Sequence, residues 1–322
     1  MSRNKLYLGF LISIILIVIF YVSYGMMNIG KKSESYTVAV IVDDSSNAKW
    51  NAFKEGLNQG LEGHQIYLNL VSTTKFSSLK EECQIISREI ENGADGIIIE
   101  PYSSDDEEQL FLQSVAEKPV ILAGNSIREE WYSVVMPDYY KMGEALADAV
   151  IEGEQMNPDA RKIGVIGADQ SKESARNMLQ GFEKKISESN LEIVWMTGAD
   201  AWNSADELED NMKQQPVDIL AALDNDGTEQ CVDFFLENAG SDCRLYGVGR
   251  SEKTVYYLDK EIIQTLIVPN EYFMGYQSVV SMARRLEEHV ETMVDEEVDF
   301  LTVTKENMYD REHEKIVFPT VR

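Results

Sequence analysis

The stretch RKIGVIGADQSKESARNMLQGF, residues 161–182, contains the unit from which most of the chain is built. Its first part, Lys162–Ile166, is a short apolar run, which is typical of a strand buried on both faces of a parallel sheet. A polar loop follows, and apolar residues then recur at the spacing of one helix face, as Ala175, Met178, Leu179, Phe182 and Ile186. The stretch therefore predicts a strand, a polar loop at its carboxyl end and an amphipathic helix.

The same unit recurs on both sides of this stretch. Upstream, apolar runs predict strands at Thr37–Val42, Ile66–Val71, Gly96–Ile99 and Pro119–Ala123. Downstream, they predict strands at Leu191–Met196, Ile219–Leu223 and Arg244–Val248. Strands that alternate with helices indicate parallel sheets with right-handed crossovers. Because the rhythm restarts with a helix over Tyr140–Ile151, we predict an α/β fold with two Rossmann-like lobes and a cleft between their sheets.

The predicted lobes exchange segments of the chain. We expect residues 36–124 and 270–297 to form the N-lobe, and residues 125–269 and 298–322 to form the C-lobe. Together they hold about 290 residues, which suits two domains of ordinary size.

An apolar segment precedes the α/β part. Leu6–Gly30 contains no charged side chain, and at about 1.5 Å of helical rise per residue it is long enough to span a bilayer core of roughly 30 Å. We predict a cytoplasmic head at residues 1–5, one transmembrane signal-anchor helix at residues 6–30, and a domain on the extracytoplasmic side of the cell membrane. A cleaved signal peptide is the alternative, although no clear cleavage site follows the apolar run.

Composition excludes several classes of function. The chain has 56 Asp and Glu against 29 Lys and Arg, a formal charge of −27, which opposes nucleic-acid binding. The three histidines lie far apart and form no metal-ligand spacing, so we predict no metal site and no cofactor. No dinucleotide, phosphate-loop or nucleophile motif is present, which argues against an enzyme. Cys231 and Cys243 could form a disulfide, whereas Cys83 falls on the apolar face of a helix.

Polar side chains cluster where the predicted strands end. Ligands of open α/β sheets bind beyond the carboxyl ends of the strands, and these ends are rich in Asp, Asn and Ser. Such groups suit a hydroxylated ligand, and an aromatic ring such as Trp50 or Tyr102 can cover the C–H face of a sugar.

An ordered set of segments resembles the type I periplasmic binding protein fold, in the sugar-binding branch that includes ribose-type binding proteins and LacI-like sensor domains. The resemblance covers about residues 36–320. The segments are Asn47, Trp50 and Gly56 after the first strand, GADGIIIEPYSS (93–104), PDYYKMGEALADAVI (137–151), the quoted stretch 161–182, VDILAALDND (217–226), RLYGVGRS (244–251) and QTLIVPNEYFMGY (264–276). The resemblance implies two lobes that close on a small solute by a hinge motion.

The resemblance and the strand ends together predict ten ligand-binding residues: Asn47, Trp50, Glu100, Tyr102, Ser103, Asn125, Arg176, Asp224, Arg250 and Asn270. Alternatives remain open for several of them. Trp50 is either a stacking surface or a core residue, Asn47 a ligand contact or a helix cap, and Arg176 a ligand contact or a solvated helix residue. Asp138 is expected to be a helix N-cap.

The chain also departs from the family pattern. Leu223 replaces the usual Asn before Asp224, Gly249 and Arg250 replace an aspartate, and Pro269 replaces a glutamine. These changes point away from ordinary ribose or glucose, and Arg176 and Arg250 favour an anionic or modified sugar.

The sequence thus predicts a membrane-tethered, extracytoplasmic solute-binding protein that recognises a sugar or sugar-like molecule and serves an ABC-type importer. The alternative is a ligand-sensing accessory protein for a membrane sensor kinase. A LacI-type transcription regulator is disfavoured, because such a protein needs an N-terminal DNA-binding motif and a basic face, whereas this chain offers an apolar segment and a charge of −27.

Overall fold

A computed structural model of the chain describes residues 13–20, 35–47, 50–102, 108–115, 117–127, 132–155, 162–167, 171–198, 204–238, 242–249, 251–290 and 294–318. The chain divides into an N-terminal segment, Met1–Tyr36, and a large unit, Thr37–Arg322. In the segment, residues 13–20 are helical and expose apolar side chains. The rest of the predicted anchor, residues 6–12 and 21–30, lies outside the described residues. In the part of the chain that is described, no helix has the length and hydropathy needed to cross a membrane.

Two six-stranded sheets form the frame of the large unit. The first contains β1 (Tyr36–Ile41), β2 (Ile66–Leu70), β3 (Gly96–Ile99), β4 (Val120–Ala123), β5 (Ser133–Pro137) and β11 (Glu296–Val298), in the order β2-β1-β3-β4-β5-β11. The second contains β6 (Lys162–Ile166), β7 (Glu192–Met196), β8 (Ile219–Ala222), β9 (Arg244–Val248), β10 (Ile263–Pro269) and β12 (Phe300–Val303), in the order β7-β6-β8-β9-β10-β12. The two-lobed α/β architecture predicted from the alternating pattern is therefore confirmed.

The sheets are parallel through their centres, and they differ at one edge. β11 pairs parallel with β5, whereas β12 pairs antiparallel with β10. The central strands β3, β4 and β8 are buried along their whole length, which explains their continuous apolar sequences.

Ten described helices connect or flank these strands. They are α1 (Asn51–Gly60), α2 (Leu79–Glu91), α3 (Glu108–Val115), α4 (Tyr139–Gly153), α5 (Glu173–Ile186), α6 (Ser204–Gln214), α7 (Asn225–Glu237), α8 (Glu252–Asp259), α9 (Glu271–Leu286) and α10 (Arg311–Val317). Several begin at side-chain caps, such as Ser78 on α2 and Ser251 on α8. Asp138 caps α4 by accepting a hydrogen bond from the Lys141 amide, as expected.

The chain passes between the lobes at three points: after Pro137, after Pro269 and at Asp299. The expected boundary before residue 125 is too early, because β5 pairs with β4 in the first sheet. Buried and half-buried residues alternate along β5 (SVVMP), which lies next to the edge strand β11. Its sequence therefore lacks the continuous apolar run of the central strands. The backbone N–H of Asn270 donates to the Asp299 carbonyl at 3.0 Å and so joins two of the three passages.

Glycines allow one helix pair in each lobe to pack unusually closely. In the first lobe, a Cβ atom on Gly56 of α1 would overlap the Tyr272 carbonyl of α9, and one on Gly275 would overlap the Phe53 carbonyl. In the second lobe, a Cβ atom on Gly143 of α4 would overlap the Met178 carbonyl of α5. The backbones therefore meet where no side chain intervenes.

The cysteines contribute packing and no cross-link. Cys231 lies in the core of the second lobe and Cys83 in that of the first. Cys231 and Cys243 are thiols in the structure, so the disulfide that their positions allowed is not formed. Burial raises the pKa of the Cys243 thiol to about 12, which keeps it protonated at neutral pH.

Candidate functional site

Two adjacent cavities lie between the carboxyl ends of the two sheets. The larger has a volume of about 330 Å³ and the smaller about 190 Å³. Both are lined by Glu100, Gly124, Tyr139, Leu223, Asp224 and Asn225. The larger volume is at the lower end of the roughly 300–1,000 Å³ range of small-molecule sites. The cleft therefore has room for a small ligand in contact with both lobes.

The larger cavity combines carboxylates, the ammonium groups of Lys75 and Lys172, and aromatic rings. Asp43, Glu100 and Tyr102 come from the first lobe, and Lys172 and Asp224 come from the second. Phe76 and Tyr102 form an edge-to-face pair with centroids 6.5 Å apart. Hydroxyl groups can donate to the carboxylates and accept from the ammonium groups, while an aromatic face covers apolar C–H groups. This chemistry suits a polyhydroxylated molecule.

Trp50 lines the smaller cavity, and both predicted roles of this residue, core residue and cleft surface, apply in part. Its side chain is mostly in the core: the residue is 5% exposed, and the indole N–H donates to the Asp43 carbonyl at 2.8 Å. Its ring also meets Phe53 edge-to-face at 5.8 Å. The remaining surface of Trp50 lines the cavity together with Asn270. Trp50 is thus a core residue that also presents a surface to the cleft.

Tyr139 is the aromatic residue shared by the two cavities, and the sequence did not predict it as a site residue. It is the first residue of α4, directly after the passage between the lobes. Its hydroxyl donates to the Gly124 carbonyl at 2.7 Å. Burial raises its pKa, with smaller contributions from Glu100 and Glu271, so the hydroxyl stays a donor.

Asp224 has a structural role in addition to its position in the cleft. It is the N-cap of α7, and its carboxylate accepts from the Gly227 amide at 2.6 Å. Gly167, with φ of +84°, faces this carboxylate, and an added Cβ would lie 2.7 Å from Asp224 Oδ2. A glycine after β6 therefore leaves the carboxylate its space. Asn270 is likewise an N-cap, of α9, and accepts from the Phe273 amide at 3.0 Å.

Lys172 is the second site residue that the sequence missed. It precedes α5 as its N-cap residue without a side-chain capping bond, and its ammonium pairs with Glu100 of the other lobe at 2.9 Å. Burial alone would lower the pKa of Lys172, but the neighbouring carboxylates of Glu100, Asp43 and Glu82 raise it, with a net upward direction. The cleft thus holds a charged ammonium. Arg176, one turn further on, was predicted in its place.

Glu82 lies behind the site on α2 and is fully buried. One of its oxygens accepts from the Tyr102 amide at 3.0 Å. Burial raises the pKa of Glu82 to about 8, against the lowering influence of the Tyr102 amide and Lys172. Glu82 is therefore mostly protonated at neutral pH and supports the Tyr102 backbone without adding a full charge.

The predicted ligand residues fall into three groups. Five of them line the cavities: Trp50, Glu100, Tyr102, Asp224 and Asn270. Asn125 is fully buried beside the cleft and bonds to both lobes, whereas Asn47 and Arg176 do not line either cavity. The N-cap position of α1 belongs to Trp50 and not to Asn47. Ser103 and Arg250 lie outside the described residues. A ligand role for each remains a prediction.

Comparisons with known proteins place this geometry in a family. Residues 38–289 match the family model of the periplasmic binding protein domain. No curated protein sequence matches the chain.

Solved structures share the fold over nearly their full length. A carbohydrate transporter solute-binding protein from Agrobacterium radiobacter, in complex with D-arabinose, has 18% identity and a TM-score of 0.81, covering 89% of this chain and 100% of that one. An ABC transporter solute-binding protein from Agrobacterium vitis with bound D-fucose has 16% identity and a TM-score of 0.78, covering 88% and 100%. GanP, a glucose-galactose binding protein from Geobacillus stearothermophilus, has 17% identity and a TM-score of 0.73, covering 86% and 100%.

These neighbours are described as solute-binding or sugar-binding proteins. At such low identity the structural likeness shows the fold, whereas the family match covers most of the chain itself. The chain passes three times between two lobes that enclose a cleft, and it belongs to the periplasmic binding protein domain family.

Proposed function

We propose that this protein binds a sugar or sugar-like molecule between its lobes by hinge closure and delivers it to an ABC-type importer. The observation that carries the proposal is the lining of the larger cavity. Glu100 of the first lobe and Asp224 of the second both line this cavity, together with Tyr102 and Tyr139. A ligand that touches both lobes only when they are shut drives the hinge equilibrium toward closure.

The relatives support the same solute class. Proteins of this fold are described with bound D-arabinose and D-fucose, and as parts of ABC transporters. The departures at Leu223, Gly249 and Pro269 mean that the solute need not be one of these sugars.

A thermal-shift screen of the full chain in detergent, against neutral, phosphorylated, acidic and amino sugars, tests the solute class. A true solute raises the melting temperature progressively once its concentration exceeds its dissociation constant. The matched variant is Asp224→Asn, because asparagine caps a helix about as well as aspartate but lacks the charge. We expect it to fold normally and to lose most of the shift. A screen in which amino acids or nucleosides stabilise the chain and sugars do not would contradict the proposal.

We further propose that residues 6–30 tether the binding domain to the outer face of the cell membrane. The support is the uncharged apolar sequence of Leu6–Gly30, flanked by Arg3 and Lys5 on one side and by Lys31 and Lys32 on the other. Alkaline extraction of membranes should leave the full chain in the pellet. A variant beginning at residue 34 should be released instead. If the protein is instead recovered in the soluble fraction and lacks its N-terminal segment, the segment is a cleaved signal peptide.

A further inference from the structure

An ion pair crosses the cleft between the two lobes. Glu100 follows β3 in the first lobe, and Lys172 immediately precedes α5 in the second. Their charged atoms are 2.9 Å apart, and their side chains are 16% and 26% exposed. Partly buried ion pairs act in a lower dielectric than exposed pairs and are screened less by salt. The pair is therefore placed where it affects the balance between open and closed lobes.

Hydrogen bonds beside this pair join the same two regions. Asn125 is fully buried and bonds in both directions. Its side-chain N–H donates to the Pro101 carbonyl of the first lobe at 3.2 Å, and its side-chain oxygen accepts from the Ser174 amide of the second lobe at 3.2 Å. The Ser126 hydroxyl donates to the Glu173 carboxylate. The ends of β3 and β4 thus hold the first turn of α5 through three neighbouring contacts.

The charges of these residues favour the contacts at neutral pH. The net effect of the carboxylates around Lys172 is to raise its pKa, so the ammonium stays charged. The Ser174 amide and the Glu173 side chain lie at the start of a helix, where backbone N–H groups have no partner within the helix and negative charge is favoured. Asn125 satisfies one of those amides from the opposite lobe.

We propose that this interlobe clasp, formed by Glu100, Asn125 and Ser126 on one lobe and Lys172, Glu173 and Ser174 on the other, stabilises the closed form through the chain's own side chains. The balance between the open and closed forms is then set first by the protein's own contacts, and a bound solute shifts it further. A solute that binds Glu100 competes with Lys172 for that carboxylate. The fraction of molecules with an open cleft limits the apparent affinity of any solute. This inference concerns the hinge and does not depend on the solute being a sugar.

Hydrogen exchange of the full chain in detergent, with no sugar added, tests the clasp. The reporter is the segment 171–176, which contains the Ser174 amide bonded to Asn125. Lys172→Met and Glu100→Gln each remove the ion pair and should speed the exchange of this segment roughly tenfold. Tenfold corresponds to a loss of about 1.4 kcal/mol in the stability of the closed form. The matched control is Lys253→Met, because Lys253 pairs with Asp233 within the second lobe.

The charge-reversed double variant E100K/K172E separates the clasp from general damage. Its lysine would take the place of Glu100 beside Glu82, and its glutamate would lie at a helix start, which favours negative charge, but also near Asp43, so we expect a partial reversal. Protection of segment 171–176 should return toward the wild-type level. Unchanged exchange in both single variants, or folded single variants whose fast exchange the double variant fails to reverse, would overturn the proposal. A sugar screen without hits leaves these outcomes unaffected.

Discussion

The two lobes have the same strand order and a similar closely packed helix pair, but they place different side chains at an equivalent position. In each lobe the first strand leads to a helix whose N-cap residue makes no side-chain capping bond: Trp50 before α1 and Lys172 before α5. Trp50 turns into its own lobe and bonds to the Asp43 carbonyl. Lys172 extends across the cleft to Glu100. A repeated frame therefore carries two different functions at one structural position.

The lobes also differ in how they accommodate a buried carboxyl group. Glu154 in the second lobe accepts from Arg244 at 3.1 Å and from the Tyr246 hydroxyl at 3.0 Å. Glu82 in the first lobe has a backbone amide as its close partner and a pKa raised to about 8. Glu154 is thus neutralised by a guanidinium and Glu82 by a proton, although a second buried carboxyl group of the first lobe, Glu89, also pairs with a guanidinium, that of Arg88.

The similarity of the helix pairs can be tested most strongly at their glycines. Gly56→Ala and Gly143→Ala should each lower the free energy of unfolding by about 3 kcal/mol, because the new methyl group pushes two helix backbones apart. Chemical denaturation measures the loss, and Gly198→Ala, which has open space around it, should change little. If only one lobe proves sensitive, the two helix pairs are not equivalent.

The difference between the buried carboxyls predicts a pH dependence from the first lobe. The pKa of Glu82 rises from its ordinary value of 4.5 to about 8 when the chain is folded, so its stabilising contribution is complete below pH 4.5 and is lost as the pH rises through 8. Between these values this group should reduce stability by about 1.4 kcal/mol per pH unit. Urea unfolding of Glu82→Gln at pH 6 and pH 8 should show a smaller difference than the wild type. Equal differences would mean that Glu82 is ionised in the folded protein.

The indole bond of Trp50 gives the smallest effect. Trp50→Phe should cost about 1 kcal/mol, because the half-buried Asp43 carbonyl loses its donor. The comparison variant is Trp195→Phe in the second lobe, whose indole donates to the Gln215 carbonyl at 2.9 Å in an exposed setting. Water can replace that donor, so the cost should be lower. A larger loss at Trp195 would reverse this ranking of the two bonds.

Sequence reasoning succeeded where local periodicity reports burial. The apolar runs of β1, β3, β4, β6 and β8 and the helix faces were predicted because the signal lies within each segment. It failed at β5, whose burial alternates and whose pairing with β4 is a tertiary fact. The boundary between the lobes was therefore placed before residue 125.

The site was predicted less completely, for a related reason. Glu100 directly follows β3, and Asp224 lies two residues after the end of β8, so their position at the cleft follows from topology. Lys172 reaches the cleft from the start of a helix, and its partner lies 72 residues away in sequence. The family pattern drew attention to Arg176 instead. The signal that could have identified Lys172 was its equivalence to Trp50 in the repeated frame.

The hydrogen bond between the Asn270 amide and the Asp299 carbonyl bears on how the lobes move. Because it joins two of the three passages between the lobes, these two passages should move together when the lobes open and close. Solutes of different shape would then lead to a similar closed form. If the protein serves an importer as proposed, the permease would detect that a solute is bound but could hardly distinguish which one.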